Sequence, residues 1–142
     1  MRILLFSYIL LSSFLSWSQN KHKKEIFFGV VCGSGAQTSE EIRSFKLLYE
    51  LADYRKIREK LFDGSSIEQV LSAILLKYYL STNTFNLTEP EKKKIDQLSK
   101  SRTRFEICYT CLYTRKGTLK QFFSEKDQVN YQLVKHAMLN DL

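Results

Sequence analysis

Proline, histidine, cysteine and glycine are all scarce in this chain of 142 residues, with one, two, three and five copies. A single proline beside 44% hydrophobic and 26% charged residues excludes a proline-rich linker or a low-complexity chain and describes one ordinary globular domain. The two histidines, His22 and His136, stand at no ligand spacing, and zinc would need a fourth ligand beyond Cys32, Cys108 and Cys111. GxSxG and HExxH are absent. The stretch CGSGAQT (residues 32–38) matches neither GxGxxG nor GxxxxGK[ST], and reads as a turn ahead of a capped helix. No acid, base, nucleophile and orienting group assemble from this inventory. The sequence therefore gives no catalytic residue, no metal site and no cofactor.

What is present begins at the first residues. Met1-Arg2 is a short positive start, residues 3–15 are almost wholly apolar, and Ser16-Trp17-Ser18 places small residues where a signal peptidase reads. The apolar run is shorter than the roughly 20 residues of a membrane span. The reading is a signal peptide over residues 1–18, cleaved to leave Gln19, and an exported protein, periplasmic or secreted, with no stable membrane span. The alternative is a retained anchor, since Lys21, Lys23 and Lys24 follow closely and positive charge disfavours export of that flank. Losing Arg2 leaves 21 basic against 15 acidic residues, a formal charge of +6. Lys92, Lys93, Lys94, Arg102, Arg104, Arg115, Lys116 and Lys120 supply a basic cluster. It lacks the interleaved exposed aromatics of a nucleic-acid surface, so no nucleic-acid partner is expected.

Residues 19–25 form a flexible basic lead-in, and residues 26–142 a single helical domain. Ile26 to Cys32 read as a strand. Thr38-x-x-Glu41, Ser65-x-x-Glu68 and Thr88-x-x-Glu91 are capping boxes opening helices, and Asp53 caps another that Asp63-Gly64 ends. Ile67, Val70, Leu71, Ile74, Leu75 and Tyr78 keep helical spacing so well that their helix is placed at the centre. From Arg104 to Tyr113 the period changes to two and predicts one strand. Gly117-Thr118 starts a short helix, and Ser124 caps the last. The fold class is mainly α: about five helices with a minimal two-stranded sheet.

Both strands carry cysteines. A thioredoxin-type CxxC feeds a helix N-terminus, whereas Cys108-Tyr109-Thr110-Cys111 lies within a period-two stretch. A structural crosslink from Cys32 to Cys108 or Cys111 ranks first, a metal site second and thiol catalysis third. Cys108 is the preferred partner because Phe105, Ile107 and Tyr109 take the inward face.

The stretch DYRKIREKLFDGSSIEQVLSAILLKYYL (residues 53–80) resembles a HEAT-like helical pair, with its aspartate-led helix, tight turn and longer alanine- and leucine-bearing helix. That resemblance implies a short α-α array as the alternative architecture. The whole layout, a glycine-rich segment leading into helices and then a CxxC strand, is similar to short exported bacterial helical proteins. The function expected is a non-enzymatic binding or interaction module that engages a protein or envelope component. The rival is a thiol-redox or zinc protein centred on Cys108 and Cys111.

The N-terminal reading has a direct check. Mass spectrometry of the exported protein is expected to find Gln19 at or near its start, and an intact Met1 species held in the membrane contradicts it.

Overall fold

The computed structural model describes residues 25–30, 38–110, 113–124 and 128–139. The described elements run β1 (Glu25–Gly29), α1 (Glu40–Glu50), α2 (Tyr54–Asp63), α3 (Ser66–Ser81), α4 (Glu89–Ser99), β2 (Arg104–Thr110), β3 (Tyr113–Thr118), α5 (Leu119–Phe122) and α6 (Gln128–Leu139). The chain is mainly α with a minimal sheet. Among the described residues no helix is long and apolar enough to cross a membrane.

The centre is α3. Its residues Val70 to Leu76 are all buried, and Leu71, Ile74, Leu75 and Leu76 are fully enclosed. A helix apolar nearly all round needs partners on most sides, and α1, α2, α4, α6 and β1 supply them. Local chemistry fixes where it starts. The Glu68 carboxylate accepts from the Ser65 N–H at 2.7 Å, while the Ser65 hydroxyl accepts from the Glu68 N–H. Lys60, from the last turn of α2, also donates to Glu68. That hydrogen bond, with the Ser65 N–H, holds the Glu68 carboxyl below the usual range. A Cβ at Gly64 would stand 2.5 Å from the Lys60 carbonyl oxygen, so the tight α2–α3 turn admits only glycine without moving backbone.

Buried ion pairing fastens α4 to this hairpin. Glu91 is buried, yet Arg58 meets its carboxylate at 3.0 Å and the Thr88 N–H donates to it at 2.7 Å. Arg58 also covers the Phe85 ring at 4.6 Å and donates to the Asn86 carbonyl. α1 ends in a Schellman motif: the Asp53 N–H reaches Leu48 O and the Ala52 N–H reaches Tyr49 O, both at 3.0 Å. Ala52 takes the left-handed position there, with φ of 49°.

The sheet order is β1-β2-β3, with β1 parallel to β2 and β2 antiparallel to β3. Parallel pairing demands a long crossover, and α1 to α4 make it. The core face aligns Ile26 with Phe105 and Phe28 with Ile107. Behind it, Phe28 and Phe122 stack at 5.5 Å while Phe105 meets Phe122 edge-on at 5.3 Å. Gly117 sits opposite Phe105, where a Cβ would press within 2.9 Å of the ring.

Three sequence expectations change. The stretch from Arg104 to Tyr113 is not one strand but the start of a hairpin, so the sheet has three strands. No glycine or asparagine stands between Thr110 and Tyr113 in the sequence, and the alternation of residue types carries on from β2 to β3. The Thr38 capping box gives way to Ser39 at the N-cap, where the Ser39 N–H donates to the Gly29 carbonyl at 2.7 Å and ties α1 to β1. Ser124 closes α5 by donating its hydroxyl to Gln121 O, while α6 is described from Gln128. The signal segment, the lead-in up to Lys24, Cys32 and Cys111 lie outside the described residues.

Leu71 and Ile74 are fully enclosed, and a lone carboxylate there costs several kcal/mol, comparable to the roughly 5–15 kcal/mol that holds a domain together. Leu71→Asp or Ile74→Asp is therefore expected to abolish the cooperative thermal transition followed by circular dichroism. A parent-like melt would show that α3 is not central.

Candidate functional site

The outer flank of α3 carries the most distinctive surface. Lys77 is the only charged residue between Gln69 and Thr82, and it falls where α3 leaves the core and faces α6. On α6, Asn130, Val134, Ala137 and Met138 are buried at helical spacing. The neighbouring positions Tyr131, Gln132, Lys135 and His136 are thereby turned to the rim of the α3–α6 contact.

Two hollows result. One, of about 280 Å³, is lined by Lys77, Tyr78, Ser81, Phe123, Tyr131 and Lys135, among others. The second, of about 350 Å³, is lined by Tyr49, Tyr78, Gln132, Lys135, His136 and Leu139. Tyr78, Gln132 and Lys135 belong to both, so the hollows adjoin and are taken together as one groove.

Its cations cross over. Lys77 of α3 places its Nζ 5.5 Å from the Phe123 ring centre and 5.7 Å from that of Tyr131 on α6. Lys135 of α6 places its Nζ 4.9 Å from the Tyr78 ring centre on α3. Each contact is worth about 0.5–1 kcal/mol at such half-open sites and leaves the charge unneutralised. No aspartate or glutamate lines either hollow among the described residues. The groove is a field of positive charge over aromatic walls.

Tyr49 closes one side, edge-on to Tyr78 at 6.1 Å. Its hydrogen bond with the Tyr78 side chain, aided by burial, raises it above the ordinary tyrosine range. Burial pushes Tyr131 up to about 12, so its hydroxyl keeps its proton at neutral pH. Behind the groove Tyr79 is raised still further by burial, and its hydroxyl has no hydrogen-bond partner among the described residues.

Of the three cysteines only Cys108 lies among the described residues. It pairs with Gly29 across β1 and β2, and its carbonyl accepts from the Val30 N–H at 3.1 Å. Phe105 and Ile107 take the core face, so alternation turns Cys108 to the opposite one, as the sequence predicts. It is nevertheless buried, and its interactions leave it engaged rather than free. Because β1 and β2 are parallel, the chain heads toward residue 32 at the same end of the sheet where it heads toward residue 111. Among the described residues no three of His, Cys, Asp and Glu come together as a metal site.

The basic cluster is dispersed. Lys92 pairs with Glu89 and Lys116 with Glu106, while Arg102, Arg104 and Lys116 line a hollow of about 390 Å³ that has no aromatic wall. Lys77 and Lys135 belong to no sequence motif, and Tyr78 falls on the apolar spacing of the central helix. The one available signal was a lysine within an otherwise apolar helix.

The raised tyrosines set an alkaline limit. A phenol whose folded pKa exceeds its unfolded value of about 10 contributes stability fully below that value and loses it as pH rises toward the folded pKa. Stability by urea denaturation is expected to fall between about pH 10 and pH 12. Tyr131→Phe, which keeps the ring under Lys77, is expected to flatten part of that fall; an unchanged slope would show that Tyr131 is not buried as described. No protein-family model, no curated protein and no solved structure matches this chain.

Proposed function

We propose that this protein is an exported, non-enzymatic binding module that takes its ligand, a protein or an envelope component, in the groove between α3 and α6. One observation carries the reading: Lys77 and Lys135 lie over aromatic rings in two adjoining hollows whose described lining holds no carboxylate. Exposed lysines usually point into water, at little cost. Holding two of them across a pair of helices, each over the other's ring, maintains positive charge on a surface that also offers apolar contact, the combination by which binding clefts orient a ligand.

The cysteines fit an extracytoplasmic scaffold. A bond from Cys32 to Cys108 or Cys111, with Cys108 preferred, would close a long loop and contribute roughly 4–5 kcal/mol in the loop-entropy picture. The shared end of the parallel strands supports it.

Hydrogen exchange read by mass spectrometry, with and without a solubilised envelope extract, tests the groove. Protection is expected over residues 77–81, 123–124 and 131–136. Protection confined elsewhere, or none, overturns the reading. Non-reducing peptide mapping of the same protein separates the rival: Cys32 linked to Cys108 is expected. A readily cycled Cys108–Cys111 bond with Cys32 free would favour redox chemistry, and three free thiols with bound zinc would favour a metal protein.

A further inference from the structure

We infer that the ligand of the α3–α6 groove is an acidic saccharide: a short run of sugar rings carrying carboxylate or phosphate groups. This rests on the binding reading above and names its substrate class.

Three features of the lining converge on that chemistry. Lys77 and Lys135 have aromatic rings as their contacts and no ion-pair partner among the described residues, so they attract an anion. The rings of Tyr78, Phe123 and Tyr131 offer apolar faces, which suit the C–H faces of a sugar. The hydroxyls on the rim are oriented to accept. Ser81 Oγ donates to Tyr78 O and Ser124 Oγ donates to Gln121 O, each at 2.7 Å. With their protons committed, both present lone pairs outward, and a ligand rich in hydroxyl donors satisfies them. Gln132, common to both hollows, adds an amide that donates and accepts, and Tyr131 remains a proton donor at neutral pH. Anion, hydroxyl donor and apolar face together describe an acidic sugar.

An acidic peptide fits less well. A peptide bound by strand addition needs a free strand edge, and acidic motifs are otherwise met by arginine clusters, of which the described lining has none. This groove is walled mainly by α3 and α6, whose backbone groups bond within their own helices along their length. A docked amphipathic helix needs a row of aliphatic pockets, and Leu139 is the only aliphatic side chain in the lining. The two adjoining hollows, about 280 and 350 Å³, instead suit successive ring-sized groups.

The test uses the full mature chain and four probes in low salt, read by calorimetry: trigalacturonate, its neutral methyl ester, a phosphorylated oligomannose and hexaglutamate. Trigalacturonate, the phosphorylated sugar or both are expected to bind, and to tell which anion is preferred, with the methyl ester far weaker. Lys77→Ala and Lys135→Ala are each expected to weaken binding about tenfold, equivalent to about 1.4 kcal/mol. Lys77→Arg and Lys135→Arg, which keep charge over the rings, are expected to retain most of it. Thermal melts of all four variants guard against misfolding. Equal binding of the methyl ester, or hexaglutamate binding as tightly as the sugars, overturns the saccharide assignment. If no probe binds while envelope extract still protects the groove, the ligand class is wrong and the groove reading survives. If the extract gives no protection there either, both fail.

Discussion

Burial of α3 organises the molecule. Seven consecutive positions from Val70 to Leu76 are sealed from water, and a helix so apolar can exist in solution only when neighbours cover nearly its whole circumference. α1, α2, α4, α6 and β1 are arranged to do so, and their order around α3 decides which side chains meet. α1 brings Tyr49 to Tyr78 and Tyr79, α2 brings Tyr54 to Tyr79, and α6 brings Lys135 to Tyr78. The aromatic seam along the C-terminal half of α3 is thus a product of packing around one element, and the groove is the place where that seam reaches the surface.

The buried carboxylate within this shell is placed where its desolvation is offset. Glu91 is buried but met by a guanidinium and a backbone N–H. Removing one partner would leave a charge whose burial costs several kcal/mol. The groove lysines are treated differently: ring quadrupoles hold them in place without cancelling their charge. Glu91 with Arg58 joins α4 to the α2–α3 hairpin; Lys77 with Lys135 leaves the α3–α6 rim charged. The contrast between neutralised and unneutralised cations separates the scaffold from the surface proposed to bind.

The sheet has a parallel role at the other side of the core. Phe28, Phe105 and Phe122 pack together behind it, and Ser39 fastens the start of α1 to the last residue of β1. Parallel pairing of β1 with β2 brings together residues 79 positions apart in sequence, such as Glu25 and Arg104, and with them the stretches leading toward all three cysteines. Nothing local in either strand encodes that pairing. It follows from the crossover that α1 to α4 impose.

The sequence by itself determined the helices that local rules govern. Ser65 with Glu68, Thr88 with Glu91, Asp53 and Thr118 mark starts that each depend on residues three apart, and the period of α3 announces its burial. That Cys108 alternates with Phe105 and Ile107 along β2 is equally a local property of a strand. Tertiary structure alone decided the rest. The reversal between β2 and β3 carries no turn residue, so only pairing across Phe105 and Gly117 reveals it. Ser39 displaced Thr38 as the cap because the Gly29 carbonyl was within reach. The groove was hidden for the same reason: Lys77 and Lys135 are 58 positions apart, and a lysine's place over another helix's ring depends on which helices become neighbours, which no periodicity within one helix records.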